Sequence, residues 1–186
     1  MTNFYANITL GGPSPEEITA FLKAEGTVAY VSPAVREAVV VFHEDMSGQE
    51  GLAARLSEKF QCPALLVMVY GQSVLLYTLF EDGRQTDAYV SSPHGDLELD
   101  GEAPAGNAAV LCAAFDAERF ERRVETVLRK EAKPGQPFEY AINRHGELLG
   151  ALGLPVFAAG AGFATIELGE LPAGKGFSAG QMVRSG

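Results

Sequence analysis

The sequence predicts an α+β protein with a mainly antiparallel sheet, and two observations lead to that prediction. The first half of the 186-residue chain alternates between segments with the two-residue period of strands and segments with the apolar spacing of amphipathic helices. The later strands are joined by short glycine-containing turns, which are typical of antiparallel hairpins. A chain of this size, 47% apolar and 20% charged, can bury a core without disulfides or metals. We therefore expect a single α+β domain spanning residues 1–186.

The first six predicted elements follow the order βαββαβ. Apolar and polar side chains alternate from Phe4 to Leu10, which predicts a strand. Ser14 and Glu17 have the spacing of a capping box and predict the start of a helix, as do Ser47 and Glu50. The other strands are predicted in the apolar runs at 28–31, 39–42 and 64–70, with a turn opened by Ser32-Pro33 between the first two.

This order is that of the ferredoxin-like motif, in which two crossovers place both helices on one face of an antiparallel sheet. Two further strands, residues 74–80 and 86–91, extend the sheet as a β-meander, and Asp82-Gly83 predicts a type I′ turn between them. The strands at 65–69 and 74–77 are apolar on both faces, so the second face must also be covered. We expect the C-terminal helices, predicted between Asn107 and Ala151, to cover it.

The chain is divided into four segments that differ in composition. Residues 1–92 are predicted to form the βαββαβββ half of the sheet, and 93–106 an acidic loop rich in proline and glycine. Residues 107–171 are expected to form the helical cover, with one short strand in 154–168. The tail, residues 172–186, lacks periodicity and is expected to be loose.

The charge balance excludes some classes of partner. The chain has 24 acidic against 14 basic residues and a net charge of −10, and its basic residues are interleaved with carboxylates, so we expect no nucleic-acid partner.

No signal peptide and no apolar run of about 18 residues is present, so no membrane partner is expected. Cys62 and Cys112 have no metal or redox spacing and fit buried thiols. These features predict a cytoplasmic protein.

The greatest excess of acidic over basic residues lies in residues 81–102. This window holds seven carboxylates and one arginine, so it carries more than half of the net charge of −10. Clustered like charges are easier to explain if a cationic partner meets them. Our leading hypothesis is therefore a non-enzymatic binding or regulatory protein, immunity-like in kind, that meets a basic protein partner. The residues proposed to meet this partner are Asp87, Asp96, Glu98, Asp100 and Glu102.

Two alternatives remain open. One is a small-molecule sensor or enzyme with a pocket between the sheet and the C-terminal helices, lined by Tyr89, His94, Arg144 and His145. There Arg144 would orient an anionic group, and a histidine would titrate near neutral pH. The other is a structural subunit that forms a homodimer through an exposed edge strand.

The sequence predicts no catalytic residue set, no metal site and no cofactor. Asp96-x-Glu98-x-Asp100-Gly101 resembles the opening of an EF-hand loop, but Asn107 stands where the bidentate glutamate belongs. The three histidines are dispersed, so no local pair has the spacing of metal ligands.

Four stretches together resemble a bacterial family of uncharacterised proteins with a ferredoxin-like N-terminal half. They are Tyr5-x-Asn7-x-Thr9-Leu10, the helix end from Leu56-Ser57 to Cys62-Pro63-Ala64, Leu76-Tyr77-x-Leu79-x-Glu81-Asp82-Gly83, and Leu152-Gly153-Leu154-Pro155. The resemblance implies a stand-alone bacterial cytoplasmic protein, and it implies no activity.

Overall fold

The computed structural model describes residues 4–91, 102–171 and 178–186. In these ranges the chain forms a seven-stranded antiparallel sheet and six α-helices, which confirms the predicted α+β class. The strands are β1 (Tyr5–Gly11), β2 (Ala29–Val31), β3 (Ala38–His43), β4 (Ala64–Tyr70), β5 (Val74–Glu81), β6 (Arg84–Val90) and β7 (Val183–Arg184). The helices are α1 (Pro15–Ala24), α2 (Gln49–Phe60), α3 (Ala108–Ala114), α4 (Glu121–Leu128), α5 (Ala141–Leu152) and α6 (Phe163–Glu167). Single 3-10 turns lie at Glu118–Phe120, Val156–Ala158 and Ala179–Gln181.

The strands lie in the order β6-β5-β4-β1-β3-β2-β7, and every neighbouring pair is antiparallel. The predicted ferredoxin-like motif has four strands and helices on one face. Here β5 and β6 extend one edge, β7 extends the other, and helices lie on both faces, so the whole sheet differs from that motif. β1 occupies the centre of the sheet.

The first face of the sheet is covered by α1 and α2. Ala6, Ile8 and Leu10 of β1 belong to a buried cluster that also holds Ile18 of α1 and Leu52 of α2. The predicted capping box at the start of α1 is confirmed. The Glu17 amide donates to Ser14 Oγ at 3.2 Å, and the Ser14 amide donates to Glu17 Oε2 at 2.8 Å.

The second face is covered by the chain that follows residue 107. Tyr5 and the alternate residues Leu65, Val67 and Val69 of β4 share a buried cluster with apolar side chains from α3, α4, α5 and α6. Strands with apolar side chains on both faces therefore lie between two helical layers. Among the described residues, no helix combines the length and apolarity needed to cross a membrane.

Three local predictions were wrong. α2 has Gly48 at its N-cap with no side-chain bond, because the Ser47 amide and hydroxyl both donate to Asp45 Oδ1 instead. The strand expected in residues 154–168 is a 3-10 turn followed by α6, with no strand partner beside it. The tail expected to be loose is ordered over residues 178–186, where β7 pairs with β2 and Ser185 Oγ accepts from the Ala29 amide at 2.9 Å.

Candidate functional site

Of the four residues predicted to line a pocket, Tyr89 and Arg144 are in direct contact. Arg144 Nη1 donates to Tyr89 Oη at 3.0 Å. Tyr89, Arg144 and His145 are 3%, 4% and 0% exposed, and none of them lines the cavities described below. His94 lies outside the described residues.

Arg144 caps the C-terminal end of α4. Its guanidinium donates to the carbonyl oxygens of Val127 (2.5 Å), Leu128 (3.2 Å) and Lys130, at and just beyond the last turn of α4. The last carbonyls of a helix lack the amide donors of a following turn, although the Lys130 amide also donates to the Val127 oxygen at 3.3 Å, and a cation at this end complements the negative end of the helix dipole. The Arg144 cation is therefore committed to α4, and an anionic ligand would have to displace those bonds.

His145 faces β1. Its Nδ1 lies 2.9 Å from Tyr5 Oη, and the two rings stack with centroids 5.8 Å apart. Burial raises the pKa of Tyr5 above its ordinary value, and a backbone hydrogen bond from Gly160 opposes that shift. Tyr5 is therefore a neutral phenol at neutral pH, and the pair joins β1 to α5 inside the second layer.

Of the five acidic residues proposed to meet a partner, two lie in described ranges. Asp87 is half-buried, and its Oδ2 accepts from Tyr77 Oη at 2.6 Å and from the Asn107 amide at 3.0 Å. Its carboxylate therefore fastens the start of α3 to the sheet. Glu102 is exposed. The other three, Asp96, Glu98 and Asp100, fall outside the described residues.

A cavity of about 410 Å³ opens where β1 ends, between the sheet and the second helical layer. We call it the end cleft. Gly11 pairs with Ala38 of β3, and continuing the β1–β4 register places Pro63 on the other side of Gly11. Three small residues side by side leave the floor of the cleft open. The lining residues are Gly11, Gly12, Arg36, Glu37, Ala38, Pro63, Ala114, Phe115, Asp116, Leu152, Gly153 and Leu154.

Three helices end at this cleft. Pro63 follows the end of α2, Asp116 follows α3, and Gly153 is the C-cap of α5. Helix C-termini carry partial negative charge and unpaired carbonyl groups. The side chains of Glu37 and Asp116 add two negative charges, and that of Arg36 adds one positive charge. This electrostatic arrangement favours a positively charged group.

Non-glycine residues with left-handed backbone lie on the same cleft. Arg36 and Glu37 have φ of 51° and 65°, and Asp116 has φ of 52°. Val35 and Ala38 exchange two backbone hydrogen bonds of 2.8 and 3.0 Å, so Arg36 and Glu37 are the central pair of a two-residue hairpin turn. Both central residues of a type I′ turn need positive φ, which favours Asn and Gly there. Such strain is often found at functional sites.

A second, smaller cavity of about 290 Å³ lies at the other end of β1. Tyr5, Gln72, Tyr140 and Ile142 are among its lining residues, and no charged side chain is among them. The end cleft is the better candidate site, because it combines a larger volume with charged side chains and an apolar wall.

The end cleft was not predicted from the sequence. Gly11-Gly12 was expected to end a strand, and the turn between β2 and β3 was expected at Ser32-Pro33, whereas the chain reverses at Arg36-Glu37. The sequence feature that could have indicated the cleft is the Gly11-Gly12 pair, because two adjacent glycines leave one point of a buried sheet without side chains. The partners of Gly11 in β3 and β4 follow from strand pairing, which the sequence alone does not give.

Comparison of the chain with protein-family models, with curated proteins and with solved structures found no match.

Proposed function

We propose that this protein binds a small amine-bearing molecule in the end cleft. The observation that carries the proposal is the cleft itself, a cavity of about 410 Å³ between the sheet and the second helical layer. Its volume lies within the range of small-molecule sites. Phe115, Leu152 and Leu154 offer an apolar wall, so the ligand combines a carbon chain with a charged end.

The cationic end is supported by the groups at the mouth. Glu37 and Asp116 are exposed carboxylates, and the C-terminal ends of α2, α3 and α5 lie beside them. Each helix end stabilises a nearby cation by about 0.3–1 kcal/mol at low ionic strength. The positive charge of Arg36, at the same mouth, opposes a cation. Affinity for an amine should therefore fall as salt is added.

Titration of pentylamine into nitrogen-labelled protein, followed by two-dimensional amide spectra, tests this proposal. Shifts should concentrate on the residues that line the end cleft. Gly11→Leu should abolish them, because a side chain on Gly11 enters the cleft and a Cβ there already lies 3.9 Å from the Phe115 ring. The matched control is Gly150→Leu on an exposed position of α5, where a Cβ lies 3.9 Å from Val156. Shifts that survive in Gly11→Leu would rule out the end cleft.

A second set of measurements tests whether the ligand must carry a positive charge. Glu37→Gln combined with Asp116→Asn should weaken pentylamine binding several-fold, whereas Glu50→Gln, an exposed change on α2, should leave it unchanged. Pentanol, which has no charge, should bind more weakly than pentylamine to the wild type. Equal binding of the two compounds would contradict a cationic ligand.

An acidic surface that meets a basic protein is the second candidate function. Its support is the charge of residues 81–102, together with the exposure of Asp82 and Glu102. Asp87 is the weakest member, because its carboxylate already accepts two internal hydrogen bonds. Changing Asp96, Glu98 and Asp100 to Lys should abolish partner capture and leave the melting temperature nearly unchanged. If the variant still captures the basic partner, the acidic surface is ruled out as the binding site.

We also propose that the first six elements are related to the ferredoxin-like motif. The central part of the strand order, β4-β1-β3-β2, and the packing of α1 and α2 on one face support this relationship.

A further inference from the structure

The end cleft contains a positive charge that an amine ligand alone does not explain. Arg36 lines the same cavity as Glu37 and Asp116, and all three residues are exposed. None of the salt bridges between described residues includes any of the three. A ligand that carried only an amine would be attracted by the two carboxylates and repelled by the guanidinium.

The backbone holds Arg36 and Glu37 at the floor of the cleft. They are the central pair of a two-residue turn, and the Gly12 amide donates to the Glu37 carbonyl oxygen at 3.0 Å. This bond fastens the turn to the end of β1, where Gly11 and Gly12 line the cavity. Consecutive Cα atoms lie about 3.8 Å apart, so the two charged side chains start from neighbouring points on the sheet side of the cleft.

Asp116 belongs to the helical side of the cavity. It directly follows Phe115, the C-cap of α3, and its backbone is left-handed with φ of 52°. The Ala117 amide donates to the Cys112 carbonyl oxygen at 2.9 Å, which closes the end of α3 around Asp116. The two carboxylates therefore reach the cleft from different layers, and the guanidinium lies next to one of them in the chain.

The rest of the cleft suits a carbon chain. Phe115, Leu152 and Leu154 line the cavity, and its lining residues other than Arg36, Glu37 and Asp116 carry no charged side chain. A Cβ on Gly11 would lie 3.9 Å from the Phe115 ring, so this ring reaches the floor of the cleft. A charged group placed against the apolar wall would lose hydration without gaining an oppositely charged partner. Both charges of a ligand should therefore lie at the same end of its carbon chain.

We infer that the ligand of the end cleft is an α-amino acid with an aliphatic side chain. The inference rests on the proposed function, because it names the class of molecule that the same site binds. Arg36 binds the α-carboxylate, to which a guanidinium can donate two parallel hydrogen bonds. Glu37 and Asp116 bind the α-ammonium group, and the aliphatic side chain packs against the apolar wall.

Pentylamine, L-norleucine and 6-aminohexanoate test this inference. L-norleucine is pentylamine with a carboxylate on the carbon that bears the amine, and 6-aminohexanoate is pentylamine with a carboxylate at the other end of the chain. L-norleucine should bind the wild type about three- to fivefold more tightly than pentylamine, because an exposed ion pair adds a modest free energy. 6-Aminohexanoate should bind no more tightly than pentylamine. Amide shifts measured during titration give all three affinities.

Arg36→Gln separates recognition of the carboxylate from an effect on folding. It should abolish the preference for L-norleucine and strengthen pentylamine binding, because it removes a charge that repels the amine. A variant that had lost its fold would instead bind both compounds more weakly. Arg36→Lys should keep part of the preference, since it retains the charge without the planar fork. The matched control is Arg123→Gln, an exposed change on α4, which should keep the full preference.

The two proposals fail in different ways. If L-norleucine binds the wild type no more tightly than pentylamine, or if Arg36→Gln keeps the preference, the α-amino acid is ruled out and the amine site stands. Binding of 6-aminohexanoate as tight as that of L-norleucine would also rule it out. If none of the three compounds binds the wild type, both the amine site and this inference are overturned.

Discussion

Arg144 and Tyr89 bond to the same backbone oxygen. Tyr89 Oη donates to the Leu128 carbonyl at 2.7 Å, and Arg144 Nη1 lies 3.2 Å from the same oxygen and 3.0 Å from Tyr89 Oη. This triangle joins β6, the end of α4 and the first turn of α5. Two helices of the second layer are therefore anchored to the sheet by polar contacts as well as by apolar packing.

Arg144→Leu should destabilise the protein by about 2–4 kcal/mol, because the carbonyl oxygens of Val127, Leu128 and Lys130 each lose a charged donor. Urea denaturation followed by circular dichroism measures the change in unfolding free energy. Arg123→Leu, at an exposed position of α4, is the matched control and should change it by less than about 0.5 kcal/mol. Equal losses in the two variants would show that Arg144 does not act as the helix end cap.

Replacing Arg36 by Asn and Glu37 by Gly should raise the unfolding free energy by about 1 kcal/mol. Asn and Gly adopt the left-handed conformation of the turn with less strain, and the greater freedom of Gly in the unfolded chain offsets part of the gain. The same double variant should lose pentylamine affinity if the cleft binds cations through Glu37. The control is Asp82→Asn, because the Asp82-Gly83 turn, with φ of 48° and 74°, already has suitable residues. A double variant less stable than wild type would contradict the strain argument.

The buried tyrosines predict a loss of stability at alkaline pH. Burial raises the pKa of Tyr5, and burial together with the Asp87 carboxylate raises that of Tyr77, each above the ordinary 10.0. Above about pH 10 the unfolded chain ionises these phenols and the folded chain does not, so the unfolding free energy falls as pH rises. Urea titrations from neutral pH to about pH 11 measure this slope.

Tyr5→Phe should make that slope shallower, because it removes one group that ionises on unfolding. Tyr70→Phe, at an exposed position, is the control and should leave the slope as in the wild type. The explanation would be wrong if the two variants changed the slope equally.

Ser185→Ala should lower the unfolding free energy by about 1–2 kcal/mol. The Ser185 hydroxyl accepts from the Ala29 amide at 2.9 Å and lies 2.7 Å from the Thr27 carbonyl oxygen, so it fastens β7 to the edge of β2. Hydrogen exchange at the β2 amides should become faster. Ser73→Ala is the control, since it is the Ser73 carbonyl that accepts from Ser91. Unchanged exchange at β2 would show that β7 is held by other contacts.

Local chemistry made much of the fold predictable. The alternation along β1, the Ser14–Glu17 capping box and the Asp82-Gly83 turn depend on residues near each other in the chain, and the structure has all three. The apolar character of β4 and β5 on both faces also indicated a second covering layer. Helices α3 to α6 lie there.

The candidate site was less predictable, because it depends on residues far apart in the sequence. Arg36 and Glu37 are uncommon turn residues, and the end cleft exists because Gly11, Ala38 and Pro63 lie side by side. The sequence identifies Asn7 as a polar residue on a predicted strand. Its side-chain amide donates to the carbonyl oxygens of Ala158 and Ala161, which lie in a segment where the sequence predicted another strand.

The pairing of β7 with β2 has a consequence for the kinetics of folding. Ala29 and Ser185 are 156 positions apart, so joining them closes a very long loop. Contacts of such separation are slow to form, because the entropy of the intervening chain must be lost first. The edge of β2 should therefore acquire its final neighbour late, and until then its unpaired amides are available to the strands of other molecules.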